Sequence, residues 1–378
     1  MNDVSPGARS EAIPIAAFAA VCLAATELGQ LSVGPTVAGS LAGFWPPAGA
    51  LIAALVLSDR RRWPVFIATM CGAVVASTAL VHGRAFFPSA GIALASGLDA
   101  CLAASLVRRL VSNDFALDRL PHVVTLVIGA VVAPAVGGLL AANTFLATES
   151  SSSMVAVWRA WWLAEAIGTL VTAPLVIAAI TARRVPFAGV SFWRALEIAV
   201  VFSVEIAVAE GIFGGRVNPL VSVPVYILPF LLWPVLRFGP GGGSAALFLL
   251  SLIGLWNASH GQGPIGVLSG ANVLLRAQGG LAIGDASLLL LACVVAERKR
   301  AAQDHAVLVA DLQKALDEIK TLEGFIPICA WCHKVRDDAG FWQHLEEYLD
   351  ARTDATFSHS ICPACIEQEQ GKIAAHVQ

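Results

Sequence analysis

The sequence predicts an all-α polytopic membrane protein of about ten transmembrane helices, continued by a cytoplasmic coiled-coil helix and a small zinc-ribbon-like C-terminal module. Three observations support this fold class. The chain is 57% hydrophobic and only 13% charged, whereas soluble domains carry about 25% charged residues. Several apolar runs approach the roughly 20 residues that a helix needs to cross a bilayer. The polar C-terminal part carries the pairs Cys329-x-x-Cys332 and Cys362-x-x-Cys365.

Basic residues in the connections between the apolar runs predict the orientation, because cytoplasmic loops of membrane proteins carry an excess of Lys and Arg. With the N-terminus inside, 14 basic residues fall on the inner side and 4 on the outer side, so both termini are expected in the cytoplasm. The first residues lack a basic region and an Ala-x-Ala site, so no cleaved signal peptide is expected. The spans lie at about 12–34, 39–58, 63–82, 87–107, 122–147, 156–181, 194–213, 221–236, 242–259 and 277–297.

Prolines and ionisable residues inside these spans indicate where a polar site could form. Prolines interrupt several spans, which indicates either packing kinks or a polar cavity near broken helices. A charged residue at membrane depth costs about 3 kcal/mol on insertion scales, so each should face protein or water. Hydrogen bonding between helices without any ligand is the other interpretation. The candidate intramembrane sensing site comprises Glu27, Trp45, Asp99, Glu165 and Arg276.

Three stretches of the membrane part resemble the MASE1 family of bacterial integral-membrane sensory domains. They are GFWPPAGALIAALVLSDRRRWPVFIA (Gly43–Ala68), AWWLAEAIGTLVTAPLVIA (Ala160–Ala178) and WPVLRFGPGGGSAALFLLSLIGLWNASHGQGPI (Trp233–Ile265). Glu165 departs from the family, which more often has Asp there. The resemblance covers about residues 12–297. It implies a multi-pass sensory role in the bacterial cytoplasmic (inner) membrane, upstream of an output module, and it leaves the ligand undefined.

A heptad pattern follows the last apolar span. Val309, Leu312, Leu316 and Ile319 have the 3-4-3 spacing of a coiled-coil seam, and His305 falls on the same face. The pattern covers fewer than three clean heptads. It is compatible with a helix that packs on its own chain, but we favour a parallel homodimer, because a membrane domain would hold two such helices at high effective concentration.

The two cysteine pairs suit a tetrahedral Cys₄ zinc site, with Cys329, Cys332, Cys362 and Cys365 as ligands. A module of about 50 residues has a small core, which a structural metal would compensate for. A redox switch of two dithiols stays open. Haem attachment at Cys329–His333 and structural disulfides are disfavoured in a reducing cytoplasm. Other candidate ligands are His333, His344 and His359.

The segment Leu322–Gln368 resembles a short module at the C-terminal ends of many bacterial sensory and response-regulator proteins. The shared features are Pro-Ile-Cys-x-x-Cys, Arg-Asp-Asp-x-Gly-x-Trp and Phe-Ser-His-x-Ile-Cys-Pro-x-Cys. His333 stands where that module usually has Lys. The resemblance implies zinc binding through the cysteines and leaves the biochemical role open.

The sequence therefore predicts a non-enzymatic signalling protein. It has no kinase nucleotide-binding motif and no GGDEF-type cyclase motif, and no block of charge indicates nucleic acid. The expected partners are the lipid bilayer and a cytoplasmic or membrane signalling protein acted on in trans. Two other functions stay open: a small-solute transporter or channel with a regulatory tail, and a redox or zinc sensor anchored by the membrane domain. The predicted divisions are a cytoplasmic N-terminus (1–11), the membrane sensory domain (12–297), a signalling helix (298–322), the four-cysteine module (323–368) and a tail (369–378).

Overall fold

The structure is a computed structural model that describes residues 13–36, 39–111, 115–148, 153–182, 191–214, 224–263, 273–318, 326–353 and 356–376. The chain divides into two compact units, with the boundary between Arg300 and Ala301. The first unit is helical apart from one short hairpin. The second unit begins with a helical segment and ends in a small mixed module.

The helices of the first unit follow one another with short connections. A hairpin of β1 (Val33–Thr36) and β2 (Gly39–Ala42) separates the first two helices, with Val33 paired to Ala42. A π-helical turn, Ala76–Val81, extends α3. The helices are α1 (Ile15–Leu31), α2 (Pro46–Leu57), α3 (Trp63–Val75), α4 (Phe86–Leu110), α5 (Leu120–Thr148), α6 (Met154–Ala182), α7 (Phe192–Phe213), α8 (Leu228–Ser259) and α9 (Val273–Glu318).

Six of the described helical segments are long and apolar enough to cross a membrane, so the predicted count of about ten spans is not confirmed. The helices α1 and α2 are apolar but have only 17 and 12 residues, fewer than the roughly 20 that a span requires. The helix α7 has 22 residues and carries four charged ones. The six segments are Arg60–Val81, Phe86–Leu110, Leu120–Thr148, Met154–Thr181, Leu228–Ser259 and Leu275–Leu316.

Two of the prolines predicted to interrupt spans leave their helices unbroken: Pro134 and Pro174 lie inside α5 and α6. The predicted eighth and ninth spans lie on the two sides of Gly239, a non-helical residue that separates the two helical segments of α8. Gly239 has φ 69° there, a left-handed conformation that glycine adopts without a Cβ clash. This break falls between the two spans that the sequence predicted.

The helix α2 lies at the centre of the first unit. Eleven of its twelve residues are buried, from Pro46 to Val56, and it packs against α6 and α4. The approach to α6 is close, since a Cβ at Gly49 would lie 2.6 Å from the carbonyl oxygen of Gly168. A second apolar cluster joins α7, α8 and the first part of α9, and α6 contributes Ile167 and Val171 to it.

The helix α9 runs for 46 residues from the apolar cluster into the heptad segment, a length of roughly 70 Å at 1.5 Å per residue. Within the second unit, the seam residues Leu312 and Leu316 are 60% and 58% exposed. The remainder of this unit contains β3 (Val335–Arg336), β4 (Trp342–Gln343), α10 (Leu345–Asp350) and α11 (Pro363–His376). In its described part, Val335 and Tyr348 are the buried apolar residues, so the core is small.

Candidate functional site

Two of the predicted sensing residues, Asp99 and Glu165, meet inside the first unit. Asp99 projects from α4 and Glu165 from α6. One turn before Asp99, Ser96 donates a hydrogen bond to Glu165 Oε1 at 2.5 Å. One turn before Glu165, Trp161 Nε1 donates to Asp99 Oδ2 at 3.3 Å. Each helix therefore supplies one carboxyl group and the donor that holds the other helix's carboxyl group.

Both carboxyl groups are buried and incompletely satisfied. Asp99 and Glu165 are each 1% exposed, and their charges interact electrostatically. The second oxygens, Asp99 Oδ1 and Glu165 Oε2, are buried without a hydrogen-bond partner among the described residues. A buried carboxylate oxygen without a partner is costly, so this arrangement calls for a further neutralising or donating group.

A glycine on α5 makes room for the Asp99 carboxyl group. A Cβ at Gly137 would lie 1.8 Å from Asp99 Oδ1 and 2.5 Å from its carboxyl carbon, distances that no real side chain could keep. The carboxyl group therefore lies directly against the α5 backbone.

A small cavity of about 30 Å³ lies beside Glu165, which is room for about one or two water molecules. Trp45 lines it, and its Nε1 is buried without an acceptor among the described residues. Arg84 also lines it and lies over the Phe145 ring at 5.5 Å from the centroid. The cavity therefore has an unsatisfied donor and an unsatisfied carboxyl oxygen in its walls. Trp161, Phe145 and Gln30 complete its polar and aromatic lining.

The segment before α2 connects this cavity to α9. The Trp45 N–H donates to the carbonyl of Ala164 at 3.0 Å, next to Glu165. Two residues earlier, the carbonyl of Gly43 accepts a hydrogen bond from Gln278 Nε2 on α9 at 2.8 Å. Gln278 is 1% exposed. Hydrogen bonds therefore join the segment Gly43–Trp45 both to α6 beside Glu165 and to α9.

Glu27 was predicted among the deep residues of the sensing site, but the structure places it elsewhere. Its side chain is 45% exposed. It accepts a hydrogen bond from Ser77 at 2.6 Å and pairs with His82 Nε2 at 2.9 Å. A residue's position near the middle of an apolar run does not determine which face of the helix its side chain lies on. Glu27 lies on a face of α1 that is directed away from the buried interior.

Arg276 is also separated from Asp99 and Glu165. It lines a second cavity, of about 330 Å³, together with Asp285 on the same helix. Asp285 is 1% exposed and accepts a hydrogen bond from Ser251 at 3.1 Å. Glu205, on α7, is equally buried, and neither of its oxygens has a partner among the described residues. Of the five predicted sensing residues, the structure brings Trp45, Asp99 and Glu165 together.

The first cysteine pair forms a tight turn. The carbonyl of Cys329 accepts from the His333 N–H at 2.9 Å, and the Cys329 N–H donates to the Lys334 carbonyl at 2.9 Å. His333 has φ 59°. Backbone N–H groups of Cys332 and Trp331 point at the Cys329 sulfur and lower the pKa of its thiol. Two sulfurs on one turn, with amides directed at one of them, form a suitable half of a tetrahedral metal site.

The second cysteine pair lies where α11 begins. The backbone N–H of Cys365 lowers the pKa of the Cys362 thiol, and the Ile366 N–H donates to the Cys362 carbonyl at 3.1 Å. His359 is close to Glu346, at 3.4 Å. The described residues do not gather three or more His, Cys, Asp or Glu side chains into a metal-binding group. Each pair therefore fits half of a Cys₄ site, and the four-ligand arrangement stays a prediction.

Several residues of the site escaped the sequence analysis. Ser96 and Gln278 are uncharged polar residues in apolar runs, and Gly137 is one of 33 glycines. Trp161 is one of ten tryptophans. The spacing of three between Ser96 and Asp99, and of four between Trp161 and Glu165, places each pair on one helix face. That spacing was the available signal.

The comparison with protein families gave one match. The sequence model of the MASE1 family matches residues 15–299. The matched range includes the cavity, both carboxyl groups and Gln278, and ends before the cysteine module. The comparisons with curated proteins and with solved structures found no match.

Proposed function

This chain belongs to the MASE1 family of membrane-associated sensory domains, and from that premise we propose that it detects a signal in the membrane and passes it on through α9. The cysteine module at the end of the chain then acts on a cytoplasmic or membrane signalling protein in trans. The output is conformational and requires no catalysis by this chain. The sensing element is the cavity beside Glu165, with Asp99 and Trp45.

The hydrogen bond from Gln278 to Gly43 is the observation that carries this proposal. It ties the helix that leaves the membrane unit to the segment that forms the cavity wall. Both partners are buried, so the bond is made in a low-dielectric environment and its loss would leave an unsatisfied carbonyl. Gln278 is placed to transmit small movements of Trp45 to α9.

The topology proposed for this protein has both termini in the cytoplasm of a bacterium, with the membrane unit in the cytoplasmic membrane. The distribution of basic residues supports it. In this topology the shorter α1 and α2, the charged α7 and the two parts of α8 on either side of Gly239 bring the number of crossings from six to ten, the even number that two cytoplasmic termini require. The exposed seam of α9, including Leu312 and Leu316, supports packing against the same helix of a second copy.

The cysteine module is proposed to hold one structural zinc ion. The two Cys-x-x-Cys turns and the small core around Val335 and Tyr348 support this proposal. Thiolates from Cys329, Cys332, Cys362 and Cys365 would be the ligands, and zinc would join the two turns.

We expect elemental analysis of the purified protein to find about one zinc per chain. The double variant Cys329→Ser/Cys362→Ser should lose it, because each half-site would keep one thiolate. The matched control is Cys22→Ser/Cys71→Ser, which removes two cysteines from the membrane unit and should keep the zinc. Absence of zinc, with thiols that oxidise reversibly, would contradict a metal-organised module and favour the redox sensor.

The signalling function is tested with chromosomal variants compared with a strain that lacks the whole protein. Deletion of residues 324–378 and the substitution Gln278→Leu should each reproduce the phenotypes of the null strain while the protein remains in the membrane. The control Gln303→Leu, on the exposed part of α9, should behave as wild type. Membrane levels of each variant are measured by immunoblotting.

Two outcomes would contradict this function. A tail deletion that behaves as wild type in every condition where the null strain differs would remove the output role of the module. Solute uptake that is lost in the null strain and in Glu165→Gln, but kept in the tail deletion, would favour a transporter. The strain comparison therefore separates the two classes.

A further inference from the structure

We propose that Asp99 and Glu165 form a binding site for one monovalent cation, a proton or Na⁺. This site adjoins the cavity that Glu165 and Trp45 line. The inference rests on the proposed sensing role of this cavity and names the chemistry of what it binds. It starts from the geometry of the two carboxyl groups.

The first step is charge balance. Asp99 and Glu165 interact electrostatically while both are buried. Arg84 is the charged group of opposite sign in the wall of the cavity. Two ionised carboxylates would repel each other in a setting where buried charge is expensive. One bound monovalent cation would offset that repulsion.

The second step is the number of unsatisfied atoms. Ser96 and Trp161 satisfy one oxygen of each carboxyl group. Glu165 Oε2 has no hydrogen-bond partner among the described residues, and Asp99 Oδ1 has only the adjoining backbone of Gly137 beside it. A proton carried on one carboxyl group, or an ion held between the two, would use the oxygens that the fold leaves unsatisfied.

The third step is the unsatisfied donor in the same cavity. Trp45 is 5% exposed, and its Nε1 lacks an acceptor among the described residues. An indole N–H cannot bind a cation, but it donates readily to water. A water molecule could accept a hydrogen bond from Trp45 and interact with the cation site, through a lone pair with Na⁺ or through a hydrogen with a carboxyl oxygen. It would then satisfy both the Trp45 N–H and the cation site. Cation occupancy is thereby coupled to the position of Trp45.

The elements packed against α4 and α6 bring few competing titratable groups to this site. The helix α2 has none in its sequence. On α5, His122 lies fifteen residues from Gly137, roughly 22 Å along the helix. The thiols of Cys71 and Cys101 lie on α3 and α4, and Arg237 of α8 is paired with Glu197 at 2.5 Å. Titration near the cavity is therefore governed by the two carboxyl groups beside Arg84.

The test uses the purified full-length protein in detergent, with NaCl replaced by choline chloride at constant ionic strength. Thermal unfolding and the infrared band of protonated carboxyl groups are measured against Na⁺ concentration and against pH. If Na⁺ is the cation, the melting temperature should rise by about 3 °C when Na⁺ is roughly tenfold above its Kd. Asp99→Asn and Glu165→Gln should lose the rise, and the control Glu205→Gln should keep it.

If the proton is the cation, Na⁺ should have no effect, and a pH-dependent carboxyl band should be present in wild type and Glu205→Gln. That band should be lost in Glu165→Gln or Asp99→Asn. A protein without a Na⁺ effect, and whose carboxyl band is unchanged by both site variants, would overturn the proposal. If a variant does not fold, equilibrium binding of radioactive sodium to the wild type, with the pH-dependent infrared spectrum, decides the question.

These measurements need neither the cysteine module nor a partner. If the Na⁺ and pH measurements contradict the cation site, the signalling function is still tested by the comparison of strains. If the comparison of strains contradicts the signalling function, the evidence for the cation site is unaffected. The two proposals can therefore fail separately.

Discussion

Replacement of Gly168 by alanine is expected to prevent the membrane unit from reaching its native packing. An added Cβ would lie 2.1 Å from the carbonyl oxygen of Trp45, 2.4 Å from its carbonyl carbon and 2.9 Å from its nitrogen. These are backbone atoms, which cannot rotate away as the end of a side chain can. The helix α2 that begins after Trp45 is buried on all sides, so it cannot shift without disturbing α4 as well.

The expected effect of Gly168→Ala exceeds the roughly 1–3 kcal/mol that overpacking usually costs. We expect little folded protein in the membrane, or a melting temperature lowered by many degrees, measured by tryptophan fluorescence after purification. Gly72→Ala is the matched control, because a Cβ at Gly72 meets no atom within 4 Å. Alanine in place of a helical glycine should stabilise by up to about 1 kcal/mol there. Equal melting temperatures for the two variants would contradict the close packing of α6 on Trp45.

This packing explains why the cavity and the output helix are linked. Gly168 lies one turn after Glu165 on α6, and its contact fixes the backbone of Trp45. The same segment accepts the hydrogen bond from Gln278 through Gly43. A rigid segment transmits a displacement, whereas a loosely packed one would absorb it. The absence of a side chain at Gly168 permits this packing, and under the proposed function it would also serve the coupling.

The sequence indicated which residue types need buried partners, but it could not indicate which of them lie together in the structure. Asp99 and Glu165 could be identified because a carboxyl group in an apolar run requires a partner, whatever the fold. Glu27 met the same criterion, but it lies on the half-exposed face of α1 with Ser77 and His82. Arg276 was predicted as a charge partner near the outer end of the last span, but it lines the cavity of Asp285. Depth can be estimated from hydropathy, whereas direction depends on how helices pack.

The predicted spans also show what hydropathy can and cannot predict. Long apolar runs such as Leu120–Thr148 were predicted correctly as helices. The predicted boundary between the eighth and ninth spans coincides with Gly239, whose non-helical φ of 69° separates the two helical segments of α8. A Gly-Pro sequence is compatible with either a loop or a kink. The residues at this position do not distinguish a loop from a kink, because packing against neighbouring helices determines which of the two forms.

Gly137→Ala is the second substitution with a large expected effect, and it tests the carboxyl site directly. The new Cβ would lie 1.8 Å from Asp99 Oδ1, so the Asp99 side chain or α5 must move. Asp99 is short and 1% exposed, which leaves it little room to rotate. We expect a loss of about 1–3 kcal/mol of stability from the overpacking, together with loss of the hydrogen bond from Trp161.

The clash predicts a specific compensation. In Gly137→Ala/Asp99→Ala the carboxyl group that collides with the new Cβ is absent, so the double variant should be more stable than the sum of the single effects by about 0.5–3 kcal/mol. Gly129→Ala provides the control on the same helix, since its Cβ would meet Ala103 at an ordinary 3.4 Å. Its effect should add to that of Asp99→Ala without coupling. Thermal unfolding of the three single and two double variants measures both couplings. Additive effects at Gly137 would mean that the Asp99 carboxyl group does not lie against α5, and both the shared site and its cation would lose their geometric basis.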